Sequence, residues 1–154
     1  MWNGLDNNLI YKNLHDFKYE LAIKLKPNKY KHFCKGNKFD NILLTRLRVG
    51  RSKLNLHSFT IGQSDIIQCA CGFKEESVTH YFMDCIQYTT QRQILFTLFE
   101  QTLPSFKNMS KKKKLNTILY GVNIDDNDFY YINCKLTYAV QKFITKTKRF
   151  SNLD

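Results

Sequence analysis

Residues 69–85 read CACGFKEESVTHYFMDC and place three cysteines and one histidine in the spacing C-x-C-x8-H-x4-C. Structural zinc sites use four ligands, drawn from cysteine thiolates and neutral imidazoles, in a tetrahedron. Cys69 and Cys71 on a tight turn supply two such ligands, and His80 and Cys85 supply the other two. Gly72 follows Cys71 and lets the backbone turn sharply without a Cβ penalty. The spacing therefore predicts a closed, structural Zn²⁺ site made by these four side chains.

The second pair of ligands is predicted to lie on a short helix that Ser77 can cap. An α-helix turns about 100° per residue, so five positions place Cys85 about 140° round from His80. The helix must loosen near Asp84 if both side chains are to reach one metal. Glu76 and Asp84, four positions on either side of His80, are candidates to orient its imidazole, although such acids are more often simply exposed.

Other uses of the five cysteines are weaker interpretations. A disulfide between Cys69 and Cys71 is disfavoured because residues two apart rarely meet the required geometry. Buried free thiols stay open as an alternative, since cysteine is often a small core residue. A catalytic zinc keeps one coordination position open, whereas four protein ligands are available here. Cys34 and Cys134 lie far from the cluster and are predicted to be unligated.

The rest of the chain has the apolar periodicity of helices. Helical segments are predicted around residues 14–25, 40–47, 88–103, 111–120 and 129–149. Asp40 and Asp126 are the expected N-caps of the second and the last of these helices. Residues 58–76 lack the periodicity and are predicted to form a small hairpin or irregular loop. The predicted fold is mainly α, with about five helices packed around a small CCHC zinc knuckle.

The chain is basic at both ends. Residues 1–60 carry twelve cations and four acids (net +8), residues 61–100 two and five (−3), and residues 101–154 ten and four (+6). Basic flanks suit a polyanion such as nucleic acid, although scattered lysines are often only solvated. We expect a basic helical segment at 1–57, the knuckle at 58–88 and a C-terminal helical segment at 89–154, forming one compact unit of ordinary domain size.

Composition also argues against membrane and secreted classes. No apolar stretch approaches the roughly 18–20 residues that a membrane span needs, and the opening sequence lacks the apolar stretch of a signal peptide. An odd count of five cysteines fits poorly with a secreted disulfide framework. These features predict an intracellular protein in a reducing compartment, without a membrane partner.

Several short motifs, in order, resemble the C-terminal region of non-LTR (LINE-type) retrotransposon reverse transcriptases. In that family a T-R-L-R-x-G stretch precedes a C-x-C…H-x4-C zinc knuckle. The matching pieces are LTRLRVG at 44–50, SKLN at 52–55, Phe59, CACG at 69–72, ESVTH at 76–80, Cys85, Tyr88, ILYG at 118–121 and TKTKRF at 145–150. The chain departs from the pattern at Ile86, where the family usually has Pro, and at 82–83, where it usually has Leu-Leu.

The resemblance implies a C-terminal piece of a larger polyprotein whose polymerase and endonuclease lie upstream. Such a tail is thought to hold template RNA or target DNA during target-primed reverse transcription, which places the protein in the nucleus beside its own reverse transcriptase domain. No catalytic residues carry over. Asp125 and Asp126 superficially resemble a polymerase's metal-binding pair but stand beside a predicted helix start. We therefore expect no enzymatic activity from this chain.

Exposed cations and aromatic rings are the candidate nucleic-acid contacts. Arginine makes bidentate contacts to phosphate, lysine adds positive potential, and aromatic rings stack on unpaired bases. The predicted contact residues are Arg46, Arg48, Arg51, Lys53, Phe73, Tyr81, Lys111, Lys112, Lys113 and Lys114. Phe82 is instead predicted to pack the knuckle onto the helices.

Two functions from different classes remain. The first is a zinc-stabilised module that binds RNA or DNA. The second is a structural or protein-interaction tail that braces the missing polymerase and binds no nucleic acid of its own. The salt dependence of binding separates them, because phosphate contacts weaken steeply as salt rises. A stand-alone zinc hydrolase is disfavoured, since it lacks an open metal position and an acid–base partner.

Overall fold

The helical periodicity of the sequence becomes five α-helices in the computed structural model, which describes residues 36–122 and 129–151. They are α1 (Lys38–Arg48), α2 (Asn55–Thr60), α3 (Thr89–Thr102), α4 (Lys111–Tyr120) and α5 (Phe129–Thr147). A π-helical turn (His80–Asp84) and two 3-10 turns (Ile86–Tyr88 and Pro104–Asn108) connect them. The described residues contain no strand, which confirms the mainly α prediction.

The start of α1 differs from the prediction by three residues. Asn37, not Asp40, is the N-cap, and its side-chain oxygen accepts a hydrogen bond from the Asp40 backbone N–H at 2.8 Å. Asp40 lies in the first helical turn, where a carboxylate is favoured by the helix dipole. The predicted helix at 14–25 and the predicted cap Asp126 lie outside the described residues.

The loop predicted at 58–76 is irregular from residue 61 onward, but its beginning belongs to α2. This helix has only six residues, too few to show an apolar repeat in the sequence. Its first turn depends on Glu76, whose Oε2 accepts from the Asn55 N–H at 2.8 Å. The backbone carbonyl of Glu76 accepts from the Leu56 N–H at 3.3 Å. A tertiary contact, rather than local periodicity, therefore holds α2.

The core is organised around α5, which contacts α1, α3 and α4. Its buried apolar side chains are Leu136, Ala139, Val140, Phe143 and Ile144. Phe82 of the knuckle is fully buried and stacks on Phe143 with ring centroids 5.2 Å apart. The prediction that Phe82 packs the knuckle onto the helices is thereby confirmed, and the knuckle shares one apolar cluster with the helices.

Candidate metal centre

The four predicted ligands come together in space. The ligand atoms of Cys69, Cys71, His80 and Cys85 all lie within 4.8 Å of one another. Cys69 Sγ and Cys85 Sγ are 3.8 Å apart, and Cys71 Sγ lies 3.2 Å from His80 Nε2. In a tetrahedron with metal–sulfur bonds of about 2.3 Å and metal–nitrogen bonds of about 2.0 Å, these separations are about 3.8 and 3.5 Å. The cluster therefore has the size and shape to hold one metal ion.

A tight turn presents the first two ligands. The N–H of Gly72 donates to the carbonyl of Cys69 at 2.9 Å, and the N–H of Cys69 donates to the carbonyl of Phe73 at 3.0 Å. Gly72 has φ +89°, in the left-handed region that residues with a Cβ rarely adopt. No other atom lies within 4 Å of where its Cβ would stand, so the backbone conformation rather than space requires glycine here.

The second two ligands are joined by the π-helical turn. The N–H of Cys85 donates to the carbonyl of His80, five residues back, at 2.8 Å. Such a turn holds one residue more than an α-helical turn, which brings Cys85 back toward the side of His80. Ser77 caps this segment, because its Oγ accepts from the His80 N–H at 3.1 Å. The loosening near Asp84 that the spacing requires is present as this π turn.

Burial sets the protonation of the donor atoms. Cys69, Cys85 and His80 are buried, while Cys71 is half-buried. Desolvation raises the pKa of Cys69 to about 12 and also raises the pKa of Cys85. Burial lowers the pKa of His80 and keeps its imidazole neutral, the form that binds metals. Thiolates in such surroundings need a cation to compensate their charge, so metal binding and thiol deprotonation are coupled.

Cys71 differs from the other two thiols. Desolvation opposes its ionisation, but the polar surroundings provided by the Phe73 backbone and by the thiols of Cys69 and Cys85 favour the thiolate and lower the pKa of Cys71. The most accessible sulfur of the cluster is thus also the one most easily ionised.

The imidazole of His80 is oriented by a ring. Phe73 stacks on it with centroids 4.4 Å apart and planes 4° from parallel. His80 Nδ1 is buried and finds no hydrogen-bond partner among the described residues, so neither Glu76 nor Asp84 orients it. Asp84 instead accepts from Lys111 Nζ at 2.6 Å. The hypothesis of an orienting acid is therefore wrong.

Glu76 has a different task, which the sequence did not reveal. It is only 2% exposed, and its two carboxylate oxygens accept from Arg149 Nε at 2.7 Å and from Arg149 Nη2 at 2.6 Å. Arg149 Nη2 also lies 3.1 Å from Asn55 Oδ1. The hydrogen bond to Glu76 raises the pKa of Arg149. We call this pair the Glu76–Arg149 clamp, and it ties the knuckle and α2 to the end of α5.

Two of the predicted nucleic-acid contacts are wrong because their side chains are buried. Arg48 is 3% exposed; its Nε donates to the carbonyl of Leu119, which attaches α1 to α4. Tyr81 is fully buried, and its hydroxyl lies 2.7 Å from Thr147 Oγ1. Arg48 shares the apolar face of α1 with Leu44, one helical turn earlier, and is drawn into the core with it.

The remaining predicted contacts divide into two groups. Lys111 pairs with Asp84, and the Lys114 ammonium lies 5.4 Å from the centre of the Phe106 ring. Both side chains are thus already engaged within the protein. Exposed on the surface are Arg46, Arg51, Lys53, Lys112, Lys113 and Phe73, the last of these 42% exposed.

The structure describes one of the two remaining cysteines. Cys134 is a free, half-buried thiol on α5 outside the cluster, and Cys34 lies outside the described residues.

No protein-family model, no curated protein and no solved structure matches the chain. Within residues 36–122 and 129–151, no helix combines the length and apolarity needed to cross a bilayer.

Proposed function

We propose that this chain is a zinc-stabilised, non-catalytic module that binds RNA or DNA, and that it is the C-terminal part of a retrotransposon reverse transcriptase. The observation that carries the proposal is the set of four donor atoms that lie within 4.8 Å of one another. The sequence motifs that resemble the retroelement family support the second part, and the nucleus is the compartment this role implies.

Zinc is the metal that the donor set favours. Three thiol sulfurs and one imidazole nitrogen form a soft, tetrahedral site, which suits zinc and excludes the oxygen-seeking magnesium and calcium. All four positions are taken by protein side chains, as in structural rather than catalytic zinc sites. The four donors are Cys69, Cys71, His80 and Cys85.

The zinc would replace a hydrophobic core where the chain has little. Between α2 and the π turn, residues 61–79 bury only Cys69 and Glu76. Binding of zinc contributes about 10–16 kcal/mol in comparable peptide sites, enough to order a segment of this size. Zinc binding would therefore fix the conformation of residues 61–79.

The surface beside the metal supplies the nucleic-acid contacts. Phe73 uses one ring face to stack on His80 and remains 42% exposed, so it can contact an unpaired base. Lys74 next to it is exposed, as are Arg51 and Lys53, which precede α2. With a net charge of +11 over the whole chain, binding through phosphates gives affinity with little sequence preference.

A protein-interaction tail is the second candidate, because α3 exposes apolar side chains. Ile94 and Leu98 lie one helical turn apart and both face solvent. Such a face fits a neighbouring protein domain, including the reverse transcriptase that the resemblance places upstream.

A metal assay and a salt titration test the proposal. The purified full chain should contain one zinc per molecule, and its cobalt-substituted form should show the absorption of a tetrahedral thiolate site. Its affinity for a labelled 20-nucleotide RNA or single-stranded DNA should fall steeply with salt, with a log–log slope of about −0.7 per phosphate contacted. A zinc-loaded chain that binds neither strand at low salt would instead identify an interaction tail.

A further inference from the structure

The solvent-facing side of α5 carries alternating aromatic and cationic side chains, which we call the tyrosine–lysine stripe. At about 100° per residue, its members fall within an arc of about 80° on the helix. All of them are exposed, with Tyr131 60% and Tyr138 57% accessible. The stripe consists of Tyr131, Lys135, Tyr138, Lys142 and Lys146.

The core does not explain these rings. The apolar residues that α5 buries lie on the opposite side of the helix, centred on Val140. A tyrosine usually hides its ring and shows only its hydroxyl, so two rings more than half exposed on one face are a recognisable feature.

The positive charge of α5 indicates which kind of ligand the stripe can bind. Its 19 residues contain three lysines and no aspartate or glutamate, so no acidic side chain of the helix offsets their charge. All three lysines belong to the stripe. Lys148, just after the helix, adds one more exposed cation. A polyanion is the partner with complementary charge.

Two lysine ammonium groups lie over the faces of the tyrosine rings of the stripe. Lys135 Nζ lies 4.5 Å from the centre of the Tyr131 ring, and Lys142 Nζ lies 5.1 Å from that of Tyr138. At an exposed site a cation over a ring contributes only about 2- to 5-fold to an equilibrium constant. A stacked base contributes about 5- to 150-fold, so it can displace the ammonium, which then reaches a phosphate.

From this geometry we propose that the tyrosine–lysine stripe is a binding site for single-stranded nucleic acid, with bases on Tyr131 and Tyr138 and phosphates on the lysines. The two tyrosines stand seven residues apart, about 10.5 Å along the helix. Unpaired bases offer their faces to such rings, whereas bases in a duplex are already stacked on each other. The inference rests on the proposed nucleic-acid function and names the strand type and a surface for it.

Binding of fluorescein-labelled dT20 and rU20 to the zinc-loaded full chain, followed by anisotropy, tests the stripe. Tyr131→Ala and Tyr138→Ala should each weaken binding about 5-fold or more. Tyr131→Phe and Tyr138→Phe keep the ring and should bind almost normally. Phe59→Ala, which removes an exposed ring from α2, controls for the general loss of aromatic surface.

The lysines have a separate readout. Lys135→Gln combined with Lys142→Gln should reduce the steepness of the log–log salt dependence by about 1.4, two phosphate contacts on a single strand. Lys38→Gln combined with Lys107→Gln removes the same charge from exposed positions off α5 and should reduce it less. Equal reductions in the two double variants would overturn the phosphate assignment.

The outcomes separate this inference from the proposed function. If the chain binds oligonucleotides and both Tyr→Ala variants bind equally well, the stripe is not the site, although the proposed function stands. If no oligonucleotide binds at low salt, both fail. If the Tyr→Ala variants change sedimentation of the chain but not oligonucleotide binding, the stripe contacts a second copy and the inference is wrong. Circular dichroism and zinc content verify that each variant is folded.

Discussion

The knuckle and α5 touch each other but owe their structures to different forces. Helix α5 places five apolar side chains in the core and shows a continuous apolar repeat. Residues 61–79 bury only Cys69 and Glu76, and neither contributes an ordinary apolar side chain. One region is held by burial of apolar surface, whereas the other contains a buried ion pair and four clustered donor atoms that can hold a metal ion.

The comparison shows where the two regions depend on each other. The rings of Tyr81 and Phe82 enter the core beside Phe143, so the knuckle's π turn is anchored on α5. The Glu76–Arg149 clamp in turn connects the end of α5 to the knuckle. Helix α5 should therefore survive loss of the metal, whereas the knuckle should not survive loss of its ligands.

Loss of a ligand should have the largest effect. In Cys71→Ser or His80→Ala, zinc should be released and residues 61–88 should exchange amide hydrogens rapidly, while residues 136–144 of α5 stay protected. Each variant should lose a large part of the free energy that zinc binding contributes, which is about 10–16 kcal/mol in comparable peptide sites. Metal analysis and hydrogen-exchange mass spectrometry measure both effects.

Cys134→Ser is the matched control, because it removes a cysteine that lies outside the cluster. It should retain zinc. Full zinc content and unchanged exchange in both ligand variants would show that the four side chains do not form the site.

Local patterns predicted much of this arrangement. Four of the five predicted helices lie in the described residues and are present, because apolar repeats and terminal residues such as Gly121 are read within one segment. The clustering of Cys69, Cys71, His80 and Cys85 was also predicted from local spacing. Even the loosening of the helix before Cys85 followed from counting residues between two ligands.

Features that depend on distant contacts could not be predicted in this way. Glu76 and Arg149 are 73 positions apart, so their pairing has no local signature. Arg48 is a cation in a charged cluster, yet a carbonyl on α4 gives its guanidinium a buried partner. Tyr81 adjoins a metal ligand, but the π turn directs its ring into the core rather than toward solvent. Each error concerns the side chain's environment, which only the tertiary fold supplies.

Breaking the Glu76–Arg149 clamp should have the second largest effect. Removing one partner of a buried ion pair costs about 3–5 kcal/mol, and the partial exposure of Arg149 places Glu76→Gln near the lower end. Urea unfolding followed by circular dichroism gives the change in free energy. A second variant with Glu76→Leu and Arg149→Met together should be less destabilised than the sum of the two single changes.

Asp84→Asn is the control for the clamp, because it breaks an ion pair of similar length at the surface. The Asp84 and Lys111 side chains are 38% and 55% exposed, and such pairs contribute at most about 1 kcal/mol. If Glu76→Gln costs no more than Asp84→Asn, then the clamp does not hold the two regions together.

Gly72→Ala should give a smaller effect that is specific to the metal site. Its left-handed backbone makes any Cβ cost about 1–2 kcal/mol, and the strain falls on the turn between Cys71 and Phe73. Gly62→Ala is a close match, since Gly62 also has positive φ and open space around its Cβ. Both variants should lose stability, but only Gly72→Ala should lower zinc affinity in competition with a chelator. Equal zinc affinities would show that the turn does not set ligand geometry.

Lowering the pH should produce the smallest loss of stability. We expect this loss to arise from His57 on α2, which packs beside the knuckle segment through Glu76. Burial lowers the pKa of His57 on α2, with Arg51 adding to the shift and the backbone of Ser52 opposing it. Below about pH 6.5 the unfolded chain therefore takes up a proton that the folded chain resists, so stability falls as pH decreases. Helix α5 contains no histidine. Urea unfolding at pH 7.5, 6.5 and 5.5 should show this decline, and His57→Gln should make it shallower. An identical decline in that variant would assign the acid sensitivity to other groups, with protonation of the metal ligands the first to test.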